Sequence, residues 1–132
     1  MQSNLTGTQS QYPSVQVFDG HNDVLSKLRT AGGVGKSEQF LMESTFHVDK
    51  VRAAKGRFAG GFFAMWVASS GEGDFDSLML QDSYDVPLPK EVLQSDALIV
   101  VMEQAAILLK LQQLGAVRIC TSKEDLETCL PA

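Results

Sequence analysis

The chain contains few of the residues that build metal-rich or disulfide-rich proteins. Its 132 residues include only two cysteines and two histidines. Cys120 and Cys129 lie nine positions apart and form no Cys-x-x-Cys pattern, so neither a zinc knuckle nor a disulfide framework is indicated. We expect two reduced thiols, at least one of them buried, in a cytoplasmic protein.

Basic clusters, a secretory signal and a membrane-spanning run are also missing. The net charge is −5, which leaves no electrostatic footprint for nucleic acid or an anionic membrane. The window 96–114 is apolar, but polar and charged residues interrupt it, so a buried helix is favoured over a membrane span. Residues 1–14 are polar and lack a basic start and an apolar core, which predicts a disordered leader and not a signal peptide.

The remaining residues, 15–132, have the composition of one globular unit. Hydrophobic residues make up 44% of the chain, enough for a single core. The order strand, helix, strand, helix predicts parallel β/α units. Strands are predicted at 15–18, 58–67 and 117–121, helices at 23–29, around 48–54, from 95 or 96 to 114 and after Ser122, and loops at 32–35 and 69–89.

The most informative stretch is Val15–Asp23, where an apolar segment runs into a polar cluster. Side chains alternate faces in an extended segment, so His21 and Asp23 point the same way, and Asp19 shares their face. An imidazole and a carboxylate on one face can bind one divalent cation, with both ligand atoms about 2.0–2.2 Å from zinc. The ordinary alternative is a histidine beside a loop aspartate. Gly20 lets the backbone bend where strand becomes loop, the place where α/β barrels carry their chemistry.

These residues closely resemble the opening of the membrane dipeptidase (renal dipeptidase) family of zinc peptidases, which begins with an Asp-Gly-His-Asn-Asp strand end. Phe46-His47-Val48-Asp49 and the apolar run 58–67 resemble the second strand of its bacterial members. The resemblance extends from about Val15 to the last residue. It implies an α/β fold, the N-terminal part of a (β/α)8, TIM-like metallo-dependent hydrolase barrel. Because such a barrel needs roughly 200–250 residues, about three β/α units would be present, as a fragment, a truncated product or one segment of a split chain.

The same resemblance implies zinc-dependent hydrolysis of dipeptides at a site with two Zn²⁺ ions. Only His21 and Asp23 can be transferred, as ligands of the first metal. The bridging glutamate, two further histidine ligands and the substrate-binding groups would lie beyond Ala132, so no catalytic residue falls in this segment. We expect this chain alone to bind metal weakly and to be inactive. The implied partner is a dipeptide substrate, and a homodimer of the complete enzyme is left open.

Other residues near the motif have two interpretations each. Trp66, Phe62 and Phe63 are most simply core residues, and the alternative is that one of them lines the mouth of the active site. His47 is expected to be a surface or capping histidine and not a ligand. Gly60 and Gly61 are expected to permit close approach of a neighbouring backbone or ligand, and Gly61 stands where many family members have glutamine.

Two hypotheses compete with the peptidase. Thr30–Ser37 nearly matches the phosphate-loop pattern G-x-x-x-x-G-K-[ST], failing at its first position, with Lys36 and Ser37 placed for phosphate and magnesium. Such a loop must follow a buried strand, whereas residues 24–29 are amphipathic with two cations, so a mobile loop is the simpler interpretation. The last hypothesis is a non-catalytic remnant that acts in packing or interaction, although an open three-unit sheet would expose a long edge and an apolar face.

Overall fold

A computed structural model describes residues 15–69, 80, 82–83 and 88–130. We number the elements in chain order and name the 3-10 helix separately. Their bounds are β1 Val17–Asn22, α1 Val24–Thr30, the 3-10 helix Gly33–Leu41, α2 Lys50–Lys55, β2 Phe58–Phe63, α3 Gln94–Gln113 and α4 Lys123–Cys129.

The two strands pair in parallel, as the alternation of strands and helices predicts. Val17 is paired with Phe58 and Asn22 with Phe63, with irregular register between them. The Ala64 N–H extends the pairing by donating to the Asn22 carbonyl at 2.9 Å. The predicted first strand, 15–18, was therefore too short, because pairing with β2 keeps the polar residues that follow in strand geometry. His21 lies inside β1 as a result.

The core lies where α1, the 3-10 helix and α3 pack together. Its fully or nearly fully buried apolar residues are Val24, Leu25, Leu28, Phe40, Ile107 and Leu111. The spacing of the first three gave the prediction of a helix after the motif, and that prediction is confirmed. Each buried leucine or isoleucine contributes about 1.5–3 kcal/mol relative to an exposed one. This packing therefore fixes α1, and with it the end of β1.

Helix α3 begins one residue before the predicted start and ends at Gln113, one residue before the predicted end. Gly115 has φ +64°, the left-handed conformation that glycine favours after a helix, and the Ala116 N–H donates to the Leu111 carbonyl. Only one side of α3 is buried in the described structure, since Leu98 and Met102 are exposed. Among the helices of the described part, none combines the length and apolar character that crossing a membrane requires.

The predicted loop at 32–35 is wrong, because Gly33 opens a 3-10 helix that runs to Leu41. Gly32 and Gly33 have φ values of +126° and +72°, so these glycines make the turn out of α1. Burial of Phe40 against the core then holds the following residues in place. The sequence pattern misses this helix because 3-10 turns have no strong periodicity.

The predicted strand 117–121 is also wrong, because the described structure has no strand there. The Ile119 N–H donates to the Gln112 side-chain oxygen at 2.8 Å and not to a neighbouring strand. An open cleft of about 820 Å³ separates this segment from β2. For the same reason β2 is not buried on both faces as predicted. It ends at Phe63 instead of residue 67, and Phe62 is 67% exposed.

Helix α4 begins with the capping arrangement that the sequence predicts. The Ser122 hydroxyl accepts from the Asp125 N–H at 3.1 Å. The Asp125 carboxylate in turn accepts from the Thr121 N–H and from Arg118, and these bonds lower the pKa of Asp125 to about 2. The expected end of this helix at residue 131, the leader 1–14 and most of the loop 69–89 lie outside the described residues.

A buried carboxylate caps α2, close to the predicted short helix 48–54. Asp49 accepts from the Arg52 N–H at 2.8 Å, from the Ser44 N–H at 3.0 Å and from Arg52 Nε at 2.7 Å. The first of these bonds does most to hold the pKa of Asp49 well below its ordinary value, against the opposing effect of burial. Arg52 also donates to the Phe46 carbonyl. The bonds of Asp49 and Arg52 therefore hold residues 44–52 together around the Asp49 carboxylate.

This charge should make the stability of the chain depend on acid. Asp49→Asn keeps a capping side chain and removes the negative charge. Because the folded-state pKa is lowered, the carboxylate stabilises the fold above the unfolded-state value of 3.8, and its contribution is lost as the pH falls through the folded-state pKa. Urea unfolding should show wild type more stable than Asp49→Asn at neutral pH, with the difference shrinking in acid. A difference independent of pH would contradict this account.

Gly61 allows the close strand approach that the sequence predicts. A Cβ placed there would lie 2.8 Å from the Asp19 Cβ, 3.0 Å from the Phe58 ring and 3.1 Å from the Asp19 carbonyl oxygen. Backbone is among these neighbours, so rotation of one side chain cannot relieve the contact. Gly20, at the same end of the sheet, has nothing within 4 Å of the equivalent position.

Gly61→Ala should therefore lower the free energy of unfolding by about 1–3 kcal/mol, the usual effect of forcing atoms into a packed site. Gly20→Ala is the matched control and should change stability much less, since its methyl group meets open space. Denaturant unfolding of both variants checks the prediction. Equal losses of unfolding free energy in the two variants would show that Gly61 is not needed for the close approach of the strands.

Candidate metal centre

The structure brings His21 and Asp23 together at the carboxyl end of β1. His21 Nε2 lies 3.3 Å from Asp23 Oδ1, and the side chains are 61% and 48% exposed. Two ligand atoms each about 2.0–2.2 Å from a tetrahedral ion lie about 3.3–3.6 Å apart. The donor types and their separation therefore fit one zinc ion held between the two side chains.

Asp19 builds the turn that carries the pair and does not join it. One of its carboxylate oxygens accepts from the His21 N–H at 3.3 Å, and the other accepts from the Asn22 side chain at 2.9 Å. Asn22 is buried and also bonds to the Phe62 carbonyl and the Val24 N–H. Both Asp19 oxygens are thus engaged, one by a backbone N–H and the other by a side-chain amide.

The pair by itself does not complete a metal centre. Within the residues that the structure describes, no group of three or more His, Cys, Asp and Glu side chains could hold a metal ion. Catalytic zinc sites use three protein ligands and a water molecule, so two ligands leave half of a tetrahedral shell to be filled.

A cavity of about 340 Å³ opens in front of the pair, lined also by Ser26, Lys27 and Trp66. Trp66 is 56% exposed, so it lines this cavity and is not a core residue. Phe63 does belong to the core, where its ring meets Phe40 edge to face. Of the three aromatic residues weighed above, Trp66 is thus the one at the mouth of the candidate site.

Gln104, a residue that the sequence analysis did not single out, holds Trp66 in place. Its buried side chain accepts from the Trp66 N–H at 3.1 Å and donates to the Trp66 carbonyl at 2.8 Å. It shares the buried side of α3 with Ile107 and Leu111, at helical spacing. The sequence did contain a signal, an amide residue among the apolar residues on one side of the helix, because a buried amide needs hydrogen-bond partners.

The residues of the competing motif are not arranged as a phosphate loop. Thr30–Ser37 follows helix α1, whereas such a loop must follow a strand. The Ser37 hydroxyl is buried, and the stem of Lys36 folds back against Gly32. His47 is exposed and lies away from the cavity at His21, as expected of a surface histidine.

Comparison with solved structures supports the dipeptidase resemblance. A metallo peptidase from Rhodobacter sphaeroides, liganded with a phosphinate mimic of the dipeptide L-Ala-D-Ala, is 31% identical with a TM-score of 0.75. Dipeptidase AC, a metallo peptidase of family M19, is 31% identical with a TM-score of 0.74. Each similarity covers 89% of this chain, but only 35% and 34% of those chains.

Sequence comparison alone gives a weaker result. No family model matches the chain. An uncharacterized protein in the PQQ-III 3' region of Acinetobacter calcoaceticus is 28% identical over 118 residues, which are 87% of this chain and 36% of that protein. The chain thus spans about a third of the length of the proteins it matches. Over most of its own length it is similar to metallo-dipeptidases of the membrane dipeptidase family, which confirms the resemblance seen in the sequence.

The contact between Gln104 and Trp66 gives a direct test of how the cavity wall is held. Gln104→Ala should leave two backbone groups without their partner, lower the unfolding free energy by about 1–3 kcal/mol and shift the Trp66 emission to longer wavelength. Trp66 is the only tryptophan, so its fluorescence is read without interference. Gln113→Ala, on the exposed side of α3, is the control. Unchanged emission in Gln104→Ala would contradict the assignment.

Proposed function

We propose that this chain supplies His21 and Asp23 as ligands of the first metal in a two-zinc enzyme that hydrolyses dipeptides. The observation that carries the proposal is the pairing of Nε2 and Oδ1 at 3.3 Å beside one cavity. Its support from outside the chain is the similarity to two metallo-dipeptidase structures, one of them liganded with a dipeptide mimic. The carboxyl end of a parallel strand is also where β/α barrels place their catalytic groups.

The chemical roles follow from the donors. A bound zinc ion supplies Lewis acidity and lowers the pKa of its water toward neutrality. His21 would hold the ion through the lone pair of its Nε2 atom. Asp23 offsets part of the positive charge, and the Asp19 carboxylate fixes the backbone of His21 by accepting its N–H.

The cavity has further features suited to a small, charged substrate. Trp66 forms an apolar wall of the cavity, and Gln104 keeps that wall in position. Lys27 places a positive charge at the same cavity, which favours a substrate with a carboxylate. A dipeptide has such a group within a few ångströms of its peptide bond.

The proposal requires the rest of a barrel. The complete enzyme would be a (β/α)8 barrel in which further strands continue the β1–β2 sheet and bring the remaining ligands, including the glutamate that bridges the metals. We further propose that this enzyme is cytoplasmic. The present chain, with two ligands, should bind zinc with a dissociation constant above about 1 μM and should not hydrolyse an alanyl dipeptide.

Cobalt(II) titration monitored by Trp66 fluorescence tests the ligand assignment. The open-shell ion should quench the emission when it binds beside Trp66. His21→Ala removes one of two ligands and should weaken binding at least about tenfold. His47→Ala removes the only other histidine and should leave the titration unchanged.

Two results would overturn parts of this account. Equal quenching in wild type and His21→Ala would place the ion elsewhere and reject the ligand pair. Submicromolar zinc affinity, or turnover of an alanyl dipeptide by this chain alone, would contradict the expectation that this chain binds zinc weakly and is inactive.

A further inference from the structure

The two cysteines are not part of the candidate metal centre, and they lie next to each other in the fold. Cys120 Sγ is 3.7 Å from Cys129 Sγ, and both residues are free and half-buried. Cys120 belongs to the irregular segment before α4, and Cys129 is the last residue of α4. Their contact therefore closes a short loop that contains the whole helix.

Hydrogen bonds that do not involve sulfur hold the two cysteine-bearing segments together. Asp125 of α4 accepts from Arg118 at 3.0 Å and from the Thr121 N–H at 3.1 Å, on either side of Cys120. The Ser122 cap adds a third contact at the start of the helix. The thiols are therefore brought together by the fold and remain close without a covalent bond.

We propose that Cys120 and Cys129 form a redox modification site, which a hydroperoxide converts into an intrachain disulfide. A disulfide needs the sulfur atoms about 2.05 Å apart, so they must approach by less than 2 Å, which rotation about Cα–Cβ bonds can provide. Both side chains border the open cleft beside β2, so a small oxidant can reach them.

The reaction has two balanced steps. The thiolate of one cysteine attacks a peroxide oxygen, an S–O bond forms as the O–O bond breaks, and the departing oxygen takes a proton and leaves as water when the oxidant is hydrogen peroxide. The second thiol then attacks the sulfenic sulfur, forms the S–S bond and releases a second water. Two thiols lose two electrons in total, and one peroxide is reduced to two water molecules.

Oxidation should join the end of α4 to the segment that forms one wall of the cleft. Burial raises the pKa of Cys120, so its thiol stays protonated at neutral pH and reacts more slowly than an exposed one. The rate of disulfide formation should accordingly rise with pH. The reduced pair is the form expected in a reducing compartment, and the disulfide is its oxidised state.

The experiment is peptide mapping of the chain after treatment with hydrogen peroxide. Trypsin cuts after Arg118 and Lys123, which places Cys120 in peptide 119–123 and Cys129 in peptide 124–132. The native, dilute protein should yield these two peptides linked, should lose both thiols, and should release the peptides on reduction with dithiothreitol. The share of oxidised chains that carry the linkage should be higher for the native chain than in guanidinium, because the fold holds the sulfurs together.

Single-cysteine variants provide a second test of the proposed disulfide. Cys120→Ser and Cys129→Ser should each give sulfenic or more oxidised products, or dimers linked between chains, in place of the linked peptides. Separate oxidation of both cysteines in the wild type without linked peptides would overturn the proposal. A linked share in the native chain no greater than in guanidinium would also overturn it, and that comparison needs no variant to fold.

Discussion

The parallel pairing of β1 with β2 is the constraint on which the candidate site depends. It places the carboxyl ends of both strands at one edge, so that His21 and Asp23 at the end of β1 line the same cavity as Trp66, which follows β2. A shift of the register by one residue would turn His21 to the opposite face of the sheet, away from the cavity. The irregular register between Asp19 and Asn22 is stabilised locally by the Asp19 carboxylate.

Helix α3 supports this edge from outside the sheet. Ile107 and Leu111 anchor it against α1, and Gln104 then reaches the backbone of Trp66. The same helix and β2 leave apolar side chains exposed, Met102 and Phe62 among them. Under the proposed barrel these surfaces are where additional strands and helices would pack, since exposed apolar patches of this kind normally mark contact surfaces.

Local patterns predicted much of this structure. The spacing of Val24, Leu25 and Leu28 predicted α1, Gly115 predicted the end of α3, and Ser122 with Asp125 predicted the start of α4. In each case the physical cause lies within a few residues of sequence. The His21–Asp23 pair was predicted for the same reason, because alternation in an extended segment brings residues two apart to one face.

Features that depend on distant contacts were missed. The contact of Gln104 with Trp66 joins residues 38 positions apart, and nothing local to either residue indicates it. β1 extends through Asn22 only because β2 pairs with it, and the segment 117–121 forms no strand because no partner strand is beside it. The prediction for the two cysteines rested on their spacing alone. That spacing does not indicate the helix that brings their sulfur atoms together.

The most direct test of the central claim is crystallography of the complete protein with zinc, using anomalous scattering to locate the ion. The account predicts a zinc peak about 2.0–2.2 Å from both His21 Nε2 and a carboxylate oxygen of Asp23. A fully occupied zinc site elsewhere, with the imidazole and the carboxylate turned apart and only solvent between them, would contradict it.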